Sequence, residues 1–198
     1  MASLLFTVAE RCHHWHDRLS LSFAKRKTFK EKEVSGKLPS HVMLLADSCA
    51  GLEHILEILM RHNIHYLTLP CAEGEVRAIM ETIKMDATIY VDCKLHHRSP
   101  SPLTVSLLTE SGHDLFCQII NESGKTDLTK DDIDSLHQTP PIDLLISTQE
   151  ELALGRVPPW LLAFAEISHL PSRDGTIDKG RICHALETYA GSRQMFGK

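Results

Sequence analysis

The residues best placed to do chemistry follow the first short apolar run, His41–Ala46. Asp47-Ser48-Cys49-Ala50-Gly51 stands between that run and a segment of helical periodicity. In open α/β sheets ligands bind outside the carboxyl ends of strands, so a carboxylate there can hold a metal ion and a helix N-terminus can receive a phosphate. The alternative is that Asp47 or Ser48 simply caps the helix. Neither GxGxxG nor GxxxxGK[ST] is present, which excludes the usual dinucleotide and nucleoside-triphosphate loops. A second group, Cys12, His13, His14 and His16, puts only positions 12 and 16 on one helical face, and neither it nor His96-His97 has the spacing of a zinc site. Surface histidines on a packing helix are the expectation. No GxSxG elbow marks a nucleophilic serine.

The elements that must position these groups alternate. Strands are expected at His41–Ala46, Ile64–Leu69, Ala87–Val91, Leu103–Thr109, Ile142–Ser147 and around Glu166–His169. Helices are expected at Cys49–His62, Ala72–Lys84, Gly112–Asn121, Leu128–His137, from about Trp160, and at Asp178–Gly191, with His96–Pro102 as a loop. Short apolar strands between amphipathic helices imply an α/β fold: a mostly parallel central sheet with helices on both faces. Residues 1–37 read as an appendage, an amphipathic helix over 2–24 (Leu5, Val8, Cys12, Trp15, Leu19) followed by the basic run Lys25 to Lys32, and residues 38–198 as the domain.

The 198 residues, 42% apolar and 24% charged, suit a globular chain, and a net charge of −5 argues against nucleic acid as a partner. Six scattered cysteines without a CxxC pair read as reduced, buried thiols. No stretch approaches the about 20 apolar residues that span a bilayer, so no transmembrane segment is expected.

The stretch from Asp143 to Glu166 resembles, without a gap, the late signature of the cis-prenyltransferases, and His41–Ala50 resembles their first motif. The resemblance puts the family's catalytic aspartate at Asp47, its metal-site glutamate at Glu166 and its tryptophan at Trp160. It also puts Ser147 and Ala153 where the family has arginines, and Ser48-Cys49 where it has a Gly-Asn phosphate turn. A diphosphate site needs cationic forks, so Asp47, Ser147, Ala153 and Glu166 read as a degenerate site with no catalytic residue and no metal of its own.

Pro159-Trp160, Ala165-Glu166-Ile167, Leu170-Pro171-Ser172, Ala185-Leu186, Tyr189-Ala190 and the Gly197-Lys198 end are similar to the Nogo-B receptor group, the non-catalytic subunits of dehydrodolichyl diphosphate synthase. That likeness implies an accessory subunit, inactive alone, paired with a catalytic cis-prenyltransferase that carries the Mg²⁺. The product would be a long-chain polyprenyl diphosphate for dolichol and protein glycosylation.

It further implies a tail, Arg193, Met195, Phe196, Gly197 and Lys198, that reaches the partner's active site to help hold isopentenyl diphosphate, with Met195 where the group has arginine. The interface would use Trp160, Leu161 and Phe164. The location would be the cytoplasmic face of the endoplasmic reticulum, with residues 2–32 lying on the membrane or packing on protein. An independently active prenyltransferase using Asp47 and Glu166, and a binding module or receptor-like scaffold, are the rival readings.

Overall fold

Five consecutive buried residues, His41-Val-Met-Leu-Leu45, form β1 at the centre of the sheet. Such a run is what a parallel strand covered on both faces requires. The computed structural model describes residues 34, 36–48, 50–83, 87–123, 140–172 and 176–192. After β1 come α1 (Leu52–Arg61), β2 (Tyr66–Pro70), α2 (Val76–Ile83), β3 (Thr88–Val91), β4 (Lys94–His97), β5 (Thr104–Leu108), α3 (Gly112–Ser123), β6 (Leu144–Ser147), β7 (Glu166–His169) and α4 (Lys179–Gly191). The strands make one sheet in the order β4-β3-β5-β2-β1-β6-β7. Every pair is parallel except β3 with β4.

Side chains alternate across a strand, and the two sets meet different partners. Val42, Leu44, Leu67, Leu69, Val105, Leu107, Leu144 and Ile146 pack with the apolar stripes of α1, α2 and α4. Met43, Leu45, Leu108 and Leu145 pack on the other face with Leu115 of α3 and with Val157 and Leu161. The expected α/β architecture is therefore present, with helices on both faces. The first of the two clusters reaches back to Val34.

Local signals set the helix ends. α1 stops in a Schellman arrangement: Asn63 adopts φ 55°, the Ile64 N–H donates to Leu59 O at 2.9 Å, and the Asn63 N–H to Met60 O at 3.1 Å. At α3 the Ser111 hydroxyl accepts the Asp114 N–H at 3.1 Å and donates to the Asp114 carboxylate at 2.6 Å. Asp178 caps α4 by accepting the Arg181 N–H at 2.8 Å.

Three expectations change. The helix expected from Trp160 is a single 3₁₀ turn, Pro159–Leu161, because the chain must reach the start of β7 at Glu166. The expected loop at His96–Pro102 loses His96 and His97 to β4, which hairpins onto β3 through Asp92 and Cys93 at φ 43° and 67°. Non-glycine residues rarely make such a turn, so nothing in the sequence marked it. Cys71 and Cys183 are buried as expected, but Cys117 is exposed. The expected helices at 2–24 and Leu128–His137, the basic run and the tail from Arg193 lie outside the described residues.

At the amino end of the sheet, Asp143 ties β1 to β6. Its Oδ2 accepts the Ser40 N–H and hydroxyl, both at 2.7 Å, and the His41 N–H at 3.1 Å. His41 is fully buried, with Nδ1 2.7 Å from Pro140 O and Nε2 2.8 Å from the Thr68 hydroxyl. A carbonyl can only accept, so Nδ1 carries the proton and Nε2 accepts from Thr68. Burial lowers the His41 pKa from its ordinary 6.5, against the opposing pull of Pro140 O and Asp143.

The unfolded chain therefore takes up this proton more readily than the folded one. The stability His41 contributes is complete above 6.5 and is lost as pH falls through the depressed folded value. Urea midpoints should fall on acidification in this window. His41→Gln should flatten that fall by up to one proton, at most about 1.4 kcal/mol per pH unit. An unchanged slope would mean that His41 is not the titrating group.

Gly112 opens α3 against the 157–158 backbone. A Cβ there would lie 2.6 Å from Val157 O and 2.8 Å from its carbonyl carbon, whereas one on Gly155 meets nothing within 4 Å. Gly112→Ala should cost about 1–3 kcal/mol in thermal or urea unfolding, and Gly155→Ala should be neutral by comparison.

Candidate active site

The sheet reverses its direction of growth between β1 and β6. After β1 the chain passes to α1 on one face, and after β6 to the 148–165 segment on the other. This is a topological switch point, where an open sheet leaves a crevice beyond its strand ends. Register fixes what lines it. Leu45 pairs with Ser147 and Ser147 with His169, so Asp47, Gln149 and His169 come together just past the strand ends.

Gln149 Nε2 donates to Asp47 Oδ1 at 3.0 Å, and His169 Nε2 donates to Gln149 O at 2.9 Å. The Thr148 N–H continues the ladder to Leu45 O at 2.9 Å. Neither Asp47 nor Ser48 caps α1. Its N-cap is Gly51, at φ 83° and without a side-chain hydrogen bond, while the Ser48 hydroxyl accepts the Ala50 N–H at 3.2 Å. That corrects the capping alternative and leaves Asp47 exposed at the rim.

The Ile177 carbonyl oxygen lies 3.4 Å from where a Cβ on Gly51 would sit, so a backbone acceptor stands in contact with the turn that opens α1. The strand ends contribute Asp47, Ser48, Gln149, Glu150 and His169. Arg181, at the start of the neighbouring α4, is held by the Asp178 carboxylate and by Pro171 O. Among the described residues, a diphosphate at these strand ends would meet the Asp47 and Glu150 carboxylates, the Gln149 amide and His169.

The other residues expected in the degenerate site disperse. Ser147 is fully buried on β6, and its hydroxyl finds no partner among the described residues. Ala153 is exposed in the loop after β6. Glu166 opens β7 opposite Leu144, three residues before His169, so it sits about 10 Å back toward the amino end of the sheet. There its carboxylate accepts the Ser192 hydroxyl at 2.6 Å, at the end of α4. One chain does not bring Asp47 and Glu166 together, and this pair does not fit a magnesium site within it.

Of the expected interface residues, Leu161 is buried in the core, Trp160 is half-buried against the same cluster, and Phe164 is 62% exposed. Sequence reading missed Gln149 and His169 as rim residues. The strand-end rule, applied to β6 and β7 as it was to β1, would have found both.

The fold as a whole matches solved structures. A probable undecaprenyl diphosphate synthase from Campylobacter jejuni aligns with a TM-score of 0.63 at 15% identity, covering 82% of this chain and 100% of that one. Lavandulyl diphosphate synthase from Lavandula x intermedia, in complex with dimethylallyl diphosphate, aligns with a TM-score of 0.59 at 14% identity, covering 81% of this chain and 99% of that one. The chain has the cis-prenyltransferase fold. No family model matches the sequence, and no curated protein shows a significant sequence match.

Within the cis-prenyltransferase fold, Ser147 is a buried hydroxyl with no partner among the described residues, and a buried hydroxyl left unpaired costs about 1–3 kcal/mol of desolvation. Ser147→Ala should therefore leave stability unchanged or raise it. Ser192→Ala, which removes a hydrogen bond to the Glu166 carboxylate, should lower it by about 1–2 kcal/mol. Urea unfolding of the two variants checks both signs, and a destabilised Ser147→Ala would mean that the hydroxyl has a role this geometry does not give it.

Proposed function

We propose that this chain is a non-catalytic subunit of a heteromeric cis-prenyltransferase, of the Nogo-B receptor type, that supports polyprenyl diphosphate synthesis by a catalytic partner. The observation that carries the reading is the strand-end rim, where Asp47 meets the neutral Gln149 amide and where the resemblance puts Ser147 and Ala153 at the positions of phosphate-binding arginines. Each lost charge-assisted contact to phosphate removes transition-state stabilisation worth several kcal/mol. The reaction would be condensation of isopentenyl diphosphate onto an allylic diphosphate, with Mg²⁺ held by the partner, in dolichol synthesis for protein glycosylation.

Ser192, just before the proposed tail, is tied to Glu166 at the amino end of β7. The tail is proposed to enter the partner's site, where Gly197 allows close backbone approach to the diphosphate and Arg193, Met195, Phe196 and Lys198 line it. The pairing surface is proposed to centre on the exposed Phe164 and to include Trp160, with the buried Leu161 supporting it from the core. The cytoplasmic face of the endoplasmic reticulum, with residues 2–32 as a peripheral membrane contact, belongs to the same proposal. Among the described residues no helix is long and apolar enough to cross a membrane.

The test is incorporation of radiolabelled isopentenyl diphosphate by the purified chain alone and mixed with catalytic cis-prenyltransferase subunits of the same cell. Activity is expected only in the mixture. Robust incorporation by the isolated chain, abolished in Asp47→Ala, reverses the assignment to an active enzyme. In the complex, Gly197→Ala or removal of residues 196–198 should depress turnover or raise the apparent KM for isopentenyl diphosphate while assembly persists. Met195→Arg should keep or raise activity, and Phe164→Glu should block pairing without unfolding the chain. Unchanged kinetics after the deletion would confine the chain's contribution to folding or anchoring its partner.

A further inference from the structure

The connection from β4 to β5 carries Arg98-Ser99-Pro100-Ser101-Pro102, two Ser-Pro steps in succession. It has no part in the rim. β4 runs antiparallel to β3, and Thr104, where β5 starts, lies level with Tyr66 and so with His41. The connection is therefore at the amino end of the parallel strands, whereas Asp47 follows their carboxyl end. Arg98, Pro100 and Pro102 are exposed, Ser99 and Ser101 are half-buried, and Leu103 enters the core.

Each proline shapes the serine before it. A residue that precedes proline is driven to extended backbone, and proline offers no N–H, so the serine hydroxyl turns to the N–H one residue further on. Ser99 Oγ accepts the Ser101 N–H and Ser101 Oγ accepts the Leu103 N–H, both at 3.2 Å. Both hydroxyls thus act as acceptors toward the backbone. A phosphoserine keeps that role, because its oxygens are strong acceptors, and the exposed Arg98 next to Ser99 gives it a cationic neighbour. The turn is also tethered. The Thr88 hydroxyl, at the start of β3, donates to Ser99 O and accepts the Ser99 N–H, both at 3.2 Å.

We propose that Ser99 and Ser101 are a phosphorylation site for a proline-directed serine kinase, with the Thr88 hydroxyl controlling access to it. Such a kinase selects proline after the serine because its cleft gives that position no acceptor, and proline has no N–H to leave unsatisfied. The serine Oγ bonds to the γ-phosphorus of ATP, the bond from that phosphorus to the bridging oxygen of ADP breaks, the hydroxyl proton passes to the kinase's catalytic aspartate, and ADP leaves. The kinase takes its substrate as an extended segment, so the two bonds to Thr88 must first open locally. Each phosphate brings about −1.5 to −2 charge, and the first already reverses the positive charge that Arg98 gives the turn.

Incubation of the full folded chain with ATP and a mitogen-activated protein kinase, followed by intact-mass and peptide mass spectrometry, tests this. Phosphate is expected on Ser99, Ser101 or both, and Ser99→Ala with Ser101→Ala should abolish it. Pro100→Ala with Pro102→Ala, which keeps both hydroxyls, should slow incorporation by about tenfold or more. Thr88→Val, which removes the tether, should raise the initial rate by about fivefold, while Thr88→Ser, which keeps the hydroxyl, should stay at the parent's rate. Phosphate confined to Thr139, which also precedes a proline, or incorporation only after the chain is unfolded in urea, would overturn the site. A Thr88→Val rate equal to the parent's would overturn the control by Thr88.

Discussion

The registration of β1 against β6 at their amino ends decides what the rest of the molecule can be. The Asp143 carboxylate gathers three donors from Ser40 and His41, the Asp143 N–H donates to His41 O at 3.1 Å, and Asp143 O accepts the Glu166 N–H at 2.9 Å. Three strands are thus set by one residue. A slip of one position would send Val42 and Leu44 to the face that holds Met43 and Leu45, exchanging the two apolar clusters. It would also move Gln149 and His169 out of step with Asp47. The rim at the carboxyl end is a consequence of hydrogen bonds made a strand's length away.

Most of that framework was legible in the residues. Short, mostly apolar runs marked β1, β2, β3, β5 and β6, and the short Glu166–His169 segment was read as a strand even though a helix was expected from about Trp160 before it. What escaped has a common cause. β4 is four residues, mostly exposed, without apolar alternation, and it exists because β3 offers it a ladder. The turn at Pro159–Leu161 has helical composition but is pulled into a single turn by the start of β7. In both places tertiary constraint overrides local preference.

The site was half legible for a different reason. A likeness between linear motifs assigns residues but not ends of a sheet. Asp47 follows a strand, whereas Glu166 begins one, and in a parallel sheet those two statements already put the residues at opposite ends. The resemblance suggested a carboxylate pair, and strand direction separates its members within one chain. His169 shows the converse: its type suggested nothing in particular, while its place at the end of β7 brings it to Gln149 and so to Asp47.

The two edges of the sheet are managed differently. A free strand edge invites unwanted pairing, and proteins blunt it with short strands, charge and irregularity. The β4 edge has all three: four residues, Lys94 at its start, and a register slip before its end. The β7 edge is also four residues and begins with Glu166, but it pairs regularly with β6. Each edge carries one exposed apolar residue, Leu95 on β4 at 47% and Ile167 on β7 at 45%, and single exposed apolar residues need no explanation. Among the described residues the two edges differ in the register slip, which bends β4 away from regular pairing and is absent from β7.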